Sequence, residues 1–129
     1  MDRRKRLARL VILQQRLKEL HEVRRAAHLR DVAAASAEVD MLLERLEAPD
    51  SLSALFPALY HERIARAIAR REESLRKADA ESAGIAAADA RAAVADRARR
   101  EAVRSHERST EEKAILDMLE SRRKPDGMA

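Results

Sequence analysis

The amino-acid sequence predicts an all-α protein in which two long helices pack as an antiparallel coiled-coil hairpin with a C-terminal helical overhang. Charged residues make up 39% of the chain and aromatic residues 2%, and much of the 46% apolar share is alanine. This composition is typical of long helices, because alanine buries too little surface to build a compact core. The three prolines, Pro49, Pro57 and Pro125, mark where helices are expected to begin or end.

Helix 1 is expected over about residues 3–47, a stretch without glycine or proline. Its apolar residues step by three and four, as in a helical stripe that faces a partner. The stripe falls into two sets, Leu10, Leu13, Leu17 and Leu20, followed by Val32, Ala35, Val39, Leu42 and Leu46. A phase slip of about four residues between the sets predicts a stutter, which locally unwinds a coiled coil.

A broken tip is expected over about residues 48–57. Pro49 disfavours helix at the preceding residue, and Pro57 suits the first turn of the next helix because its missing N–H costs nothing there. Asp50 and Ser51 are suited to cap a new turn, so a short helical turn over residues 51–55 is one arrangement of the tip.

Helix 2 is expected over about residues 57–123, ahead of a frayed C-terminus over residues 124–129 that contains Pro125 and Gly127. Its predicted stripe is Leu59, Ile64, Ile68, Leu75, Ala78, Ile85 and Ala92. Two interpretations are open for its last part. Either helix 2 continues through residues 104–123, or Ser109 and Glu112 form a capping box that starts a separate helix.

Charge varies strongly along the chain. Residues 1–30 carry ten Lys and Arg against three Asp and Glu, whereas residues 31–62 carry one against seven. A short tip makes the helices antiparallel neighbours, with position i opposite about 104 − i. This register predicts that Glu38, Asp40 and Glu44 of the acidic block lie near Arg63 and Arg66 at the start of helix 2. The same register pairs Leu17 and Leu20 with the alanine-rich tract around Gly84, which predicts a thin interface and favours a tight crossing over a bend at Gly84.

The sequence offers no recognisable catalytic, cofactor or metal site. The chain has no cysteine and only two glycines, so thiol chemistry and a glycine-rich phosphate loop are excluded. His21, His61 and His106 each precede a glutamate, but none continues to the second histidine of a zinc protease. We therefore expect a protein that is not an enzyme and has no cofactor. The basic N-terminus lacks the long apolar run of a signal peptide, which predicts an intracellular protein.

Two surfaces are candidate partner sites at the predicted ends of the hairpin. The basic end consists of Arg3, Arg4, Lys5, Arg6 and Arg9, joined through the predicted register by Arg97, Arg99 and Arg100. Such a cluster attracts polyanions, but no interleaved aromatic residue indicates nucleic acid, so a protein partner is favoured over a merely solvated end. The tip carries Leu52, Leu55, Phe56, Leu59 and Tyr60, which either plug the bend or anchor a partner.

A third candidate surface lies in the overhang. Its apolar residues are Ile115, Leu116, Met118 and Leu119. In the predicted hairpin they have no partner within the chain, which indicates either a binding surface or weak self-association of an otherwise monomeric protein.

The opening RRKRLARLVILQQRLKEL, the two-helix plan and the closing EEKAILDMLESRR resemble the FliJ/YscO family of small cytoplasmic coiled-coil proteins of flagellar and type III secretion export. The resemblance implies a stalk without catalytic residues whose basic end meets the export ATPase ring. It also implies a second partner, the export gate protein at the inner membrane, and we assign the surface around Phe56 and Tyr60 to that contact. The alternative is a coiled coil that binds nucleic acid or another polyanion, or that self-assembles.

Overall fold

The computed structural model describes residues 2–50 and 52–123. Helix α1 spans Arg3–Glu47, a short 3-10 helix spans Leu52–Ala54, and helix α2 spans Pro57–Arg123. The two long helices pack against each other and the described residues contain no strand, which confirms the predicted all-α helical hairpin. The predicted cap at Ser51 and the predicted fraying of residues 124–129 lie outside the described residues.

Helix α2 runs without interruption past Ser109. The Thr110 hydroxyl donates a hydrogen bond to the carbonyl of His106, at 2.9 Å, within the same helix. The interpretation in which Ser109 and Glu112 cap a separate terminal helix is therefore wrong. Residues 104–123 continue α2, because no glycine or proline interrupts the helix formers there.

The helix ends are fixed by capping residues. The Asp2 carboxylate accepts a hydrogen bond from the backbone N–H of Arg4, at 3.2 Å, as an N-cap of α1. At the other end of α1 the buried Ser53 hydroxyl lies 3.2 Å from the carbonyl oxygens of both Arg45 and Leu46. A short polar side chain in the 3-10 helix thus satisfies carbonyls that the end of a helix leaves unpaired.

The chain forms two compact units, and each contains part of α1 and part of α2. Unit 1 comprises Met1–Gln15 and Ala90–Ala129, and unit 2 comprises Arg16–Asp89. The tip belongs to unit 2, whereas the basic residues near the N-terminus and the overhang belong to unit 1.

Buried and half-buried side chains of α1 follow a single heptad register, although Arg25 at one of its positions is exposed. From Leu7 onward this register consists of Leu7, Val11, Gln14, Lys18, His21, His28, Val32, Ala35, Val39, Leu42 and Leu46. Leu17, which the sequence interpretation placed on the stripe, is half-buried beside this register. The predicted stutter is therefore wrong, and Leu10, Leu13 and Leu20 are 41–53% exposed. The sequence interpretation followed leucines, whereas polar residues occupy the seam itself. A partner surface of alanines is shallow enough for long polar side chains to pass along it and reach water.

The seam of α2 follows the same spacing. It consists of Tyr60, Ile64, Ala67, Arg71, Ser74, Ala78, Glu81, Ile85, Ala88, Ala92, Ala95, Arg99 and Ala102. Leu59 and Leu75, which the sequence interpretation placed on this stripe, are 53% and 46% exposed. Leu59 lies one position before the seam residue Tyr60, and Leu75 lies one position after the seam residue Ser74, so helical rotation turns both toward water.

Large buried side chains are scarce in both units. In unit 2 the buried apolar residues are Ala35, Val39, Leu42, Ala67, Ala78 and Ala88, and of these only Leu42 is both large and fully buried. In unit 1 the buried residues are Ala95 and Gln14, whose Oε1 accepts no hydrogen bond from the described residues. An unsatisfied buried amide oxygen costs free energy. The interface is thin, as the alanine-rich tract predicts.

Interhelical polar contacts set the register of unit 2. Glu38 of α1 pairs with Arg63, at 3.8 Å, and with Arg70. Lys18 of α1 pairs with Asp89 of α2 at 3.2 Å. Arg66 was expected to meet the acidic block of α1 but pairs with Glu62 of its own helix, at 2.5 Å. Position 66 lies one residue before the buried Ala67, and its side chain is 72% exposed.

Gly84 lies against a side chain of the opposite helix in unit 2. The predicted register places position 21 opposite position 83, and the ring of His21 lies against Gly84. A Cβ atom added at Gly84 would lie 2.7 Å from two atoms of this ring. The Nδ1 atom of His21 also lies 2.5 Å from the Glu81 carboxylate, which holds the ring in place. Glycine is therefore required here for close approach.

Replacing Gly84 with alanine is expected to lower the free energy of unfolding by up to about 2 kcal/mol. Alanine normally gains about 1 kcal/mol over glycine in a helix interior, but overpacking against the fixed ring typically costs about 1–3 kcal/mol. The measurement is urea denaturation followed by circular dichroism. The control is the same substitution in a His21→Ala background, where the ring is gone and alanine should stabilise the helix. Destabilisation of equal size in both backgrounds would contradict the role of His21.

Candidate interaction surfaces

The basic end is assembled in unit 1 from both helices. Arg4 and Lys5 of α1 line a shallow groove together with Arg99 of α2. Arg3 lines a neighbouring groove with His106 and Ser109. The structure thus brings Arg99 to the basic residues of α1, as the predicted register requires.

Two carboxylates neutralise part of this cluster. The Arg4 guanidinium pairs with Asp2 at 2.7 Å, while Arg99 and Arg100 both pair with Asp96 at 3.0 Å. Hydrogen bonds from the Arg4 side chain, and then from its backbone N–H, lower the pKa of Asp2. Because its pKa is lowered, the Asp2 carboxylate stabilises the folded state at pH values above the ordinary titration range of aspartate. This stabilisation is lost as the pH falls through the lowered pKa of Asp2 in the folded state. Sequence reasoning did not single out Asp2 or Asp96, and it considered His106 only as a metal ligand.

The remaining basic residues of the cluster form no ion pair with any residue that the structure describes. Among residues 2–50 and 52–123, the cluster members that form no ion pair are Arg3, Lys5, Arg6, Arg9 and Arg97, and all of them are exposed. The first turn of α1 contains no acidic residue. Positive charge at a helix N-terminus opposes the helix dipole and is unfavourable by a few tenths of a kcal/mol or roughly 1 kcal/mol at most. Arg3, Lys5 and Arg6, which lie in or next to the first turn of α1, therefore do not stabilise this helix through its dipole.

The tip of unit 2 presents apolar side chains to water. Leu52, Leu55, Phe56 and Leu59 are 53–71% exposed, and only Tyr60 is half-buried, at the first position of the α2 seam. The buried residue of the bend is Ser53. A capping serine rather than an aromatic plug closes this bend, so the interpretation of the cluster as a plug does not hold for its exposed members.

Replacing Leu55 and Phe56 together with alanine is expected to lower the free energy of unfolding by no more than about 1 kcal/mol. Both side chains already lie mostly in water, so little buried apolar area is lost. Chemical denaturation of the double variant against the wild type measures the change. A loss comparable to that of a buried leucine would show that these residues close the hairpin after all.

The overhang is a single exposed helix in unit 1. Every residue from Arg104 to Arg123 is exposed. The four apolar residues of its face are between 50% and 59% exposed. They form the third surface, hereafter the overhang face, which consists of Ile115, Leu116, Met118 and Leu119.

Two further kinds of site, a membrane span and a metal cluster, are absent from the described residues. None of the helices there is long and apolar enough to cross a membrane. No group of three or more histidine and carboxylate side chains in residues 2–50 and 52–123 is arranged to hold a metal ion.

Comparison with protein-family models, with curated proteins and with solved structures finds no match for this chain.

Proposed function

We propose that this protein is a non-enzymatic stalk or adaptor of a flagellar or type III protein export apparatus, of the FliJ/YscO type. In this role it connects an export ATPase ring to the export gate protein. The observation that carries the proposal is the basic end, where exposed basic residues form no ion pair among the described residues. Those near the N-terminus of α1 also oppose its dipole. Residues that work against local stability are often retained for binding.

The architecture supports the same role. A hairpin with a thin, partly polar seam offers little internal volume for chemistry, and its apolar side chains instead face outward at the tip and the overhang face. Exposed apolar groups next to a charged surface are typical of protein–protein contacts. In this proposal the ATPase ring contacts the basic end, and the gate protein contacts the surface around Leu55, Phe56, Leu59 and Tyr60. The protein then acts in the cytoplasm, peripherally at the inner membrane through its partners.

A polyanion-binding coiled coil is the second candidate function. The same unpaired arginines favour it, since phosphate groups bind such clusters without specific readout. The two candidates differ in selectivity. An export stalk binds one particular protein surface. A polyanion binder accepts any nucleic-acid duplex, with an affinity that falls steeply as the salt concentration rises.

The experiment that tests the proposal is capture of partners from bacterial lysate at moderate salt with nuclease present. Immobilised full-length protein is expected to retain a hexameric export ATPase, identified by mass spectrometry and then reproduced with the two purified proteins. Loss of all captured material after nuclease treatment would instead support the polyanion-binding function.

A further inference from the structure

The overhang face lies between two oppositely charged groups. Glu111 and Glu112 precede it by about one helical turn, and Arg122 and Arg123 follow it by about one turn. At about 100° per residue, these four charged residues lie on the same side of α2 as Leu116 and Leu119, whereas Asp117 lies on the opposite side. The face is therefore an apolar centre with an acidic end and a basic end.

These charges are available to a partner. Among the described residues, none of Glu111, Glu112, Arg122 and Arg123 forms an ion pair, and all four are exposed. Leu116 and Leu119 line a shallow groove with Arg122 and Arg123. No other described segment of the chain covers this part of α2.

A second copy of the same helix complements this pattern in one orientation only. In antiparallel alignment about position 117, Ile115 faces Leu119 and Leu116 faces Met118. Glu111 then faces Arg123, and Glu112 faces Arg122. Parallel alignment would instead place glutamate against glutamate and arginine against arginine, which is destabilising.

We propose that the overhang face is a self-association site, where residues 111–123 of two copies pair as an antiparallel coiled coil. The two-fold axis crosses the helix pair at the level of position 117 along α2. Two-fold pairing uses the same patch on both copies. This patch is self-complementary, because apolar residues face apolar residues and glutamates face arginines. The partner is thus a second copy of this chain. The inference is independent of the export role, because it uses neither the basic end nor the tip.

The first test measures the mass of the full-length chain by sedimentation equilibrium up to about 1 mM. A dimer of twice the 14.6 kDa chain mass is expected, with a dissociation constant of about 1–100 µM. Leu119→Glu should weaken the dimer at least about tenfold, because it places a desolvated charge at the centre. Val94→Glu is the matched control, since Val94 is a similarly exposed apolar residue of α2 in the same unit. A chain that stays monomeric throughout, or a dimer indifferent to Leu119→Glu, would overturn the proposal.

Charge exchange tests the orientation. Glu111→Arg with Glu112→Arg should weaken the dimer, as should Arg122→Glu with Arg123→Glu. Combining all four changes in one chain should restore it, because each pair is then reversed. Failure of the combined variant to recover would contradict antiparallel pairing, provided that its helicity matches the wild type.

Disulfide trapping gives a second readout of the orientation of the two helices. The chain has no cysteine of its own, so only the introduced cysteines can form disulfides. A mixture of Glu111→Cys and Arg123→Cys proteins should form mixed disulfide dimers. Neither variant should cross-link with itself, since its two thiols would lie about 18 Å apart along the axis, beyond disulfide reach. Efficient self-cross-linking of Glu111→Cys would indicate parallel pairing and overturn the proposal.

Discussion

Replacing Leu42 with alanine is expected to lower the free energy of unfolding by about 2–4 kcal/mol. Leu42 is 0% exposed, and it is the one large side chain among the described residues with less than 2% of its surface accessible. The other buried apolar residues are alanines and Val39. Small domains are stabilised by only about 5–15 kcal/mol, so this loss is a large fraction of the total. Unit 2 depends on Leu42 because its neighbours supply little buried area.

The adjacent Leu43 provides the matched control. It has the same side chain on the same helix but is 44% exposed, so Leu43→Ala should cost less than about 1 kcal/mol. Urea denaturation monitored by circular dichroism compares both variants with the wild type at one protein concentration. Equal losses for Leu42 and Leu43 would mean that the buried seam does not dominate the stability of the hairpin.

Much of the fold follows from the positions of proline and from the spacing of apolar residues. The predicted bounds of helix 1, residues 3–47, and of helix 2, residues 57–123, coincide with those of α1 and α2. This agreement has a physical cause. Pro49 and Pro57 restrict the backbone at the tip, and few other residues compete with helix formation elsewhere.

The seam was harder to predict than the helices. Leucines suggested a stripe through Leu10, Leu13 and Leu20, but the heptad pattern passes instead through Gln14, Lys18 and His21. Matching the pattern of apolar residues fails where the partner helix is rich in alanine. The groove on such a helix is shallow, so small residues and the aliphatic stems of polar residues pack in it better than large apolar side chains. An unbroken heptad count through the apolar positions of the second set, extended backward from Val32, would have found these residues.

The candidate surfaces were predicted in composition, and the ion pairs within them were missed although the sequence contains their signals. Aspartate ahead of a helical run is a recognisable N-cap, so the position of Asp2 could have been read from the sequence. The pairing of Asp96 with both Arg99 and Arg100 follows from helical spacings of three and four. Asp2 and Asp96 neutralise Arg4, Arg99 and Arg100. The basic residues without such a pair are therefore the ones to mutate in a test of binding.

If an export ATPase is the partner, as we propose, replacing Arg3, Arg6 and Arg9 with glutamate is expected to weaken its binding at least about 100-fold. Each lost charge pair at an interface costs several kcal/mol when its partner is left unpaired. These residues have no ion pair among the described residues, so no internal contact is lost with them. Glutamate in the first turn of α1 also suits the helix dipole, so helicity should stay constant or rise. Titration of the purified ATPase measures the affinity, and circular dichroism measures the helicity.

The control is charge reversal of Arg16, Arg24 and Arg30, which lie exposed on the same helix in unit 2 and change the net charge by the same amount. Equal weakening by both triple variants would show that overall charge, not the basic end, drives binding. Loss of helicity in the Arg3, Arg6 and Arg9 variant would assign the cluster a structural role. If DNA is the partner instead, the logarithm of the binding constant falls linearly with the logarithm of the salt concentration. Removing three phosphate contacts should make this slope less steep by about 2.7. Affinity for the ATPase and salt dependence on DNA therefore separate the two candidate functions with one pair of variants.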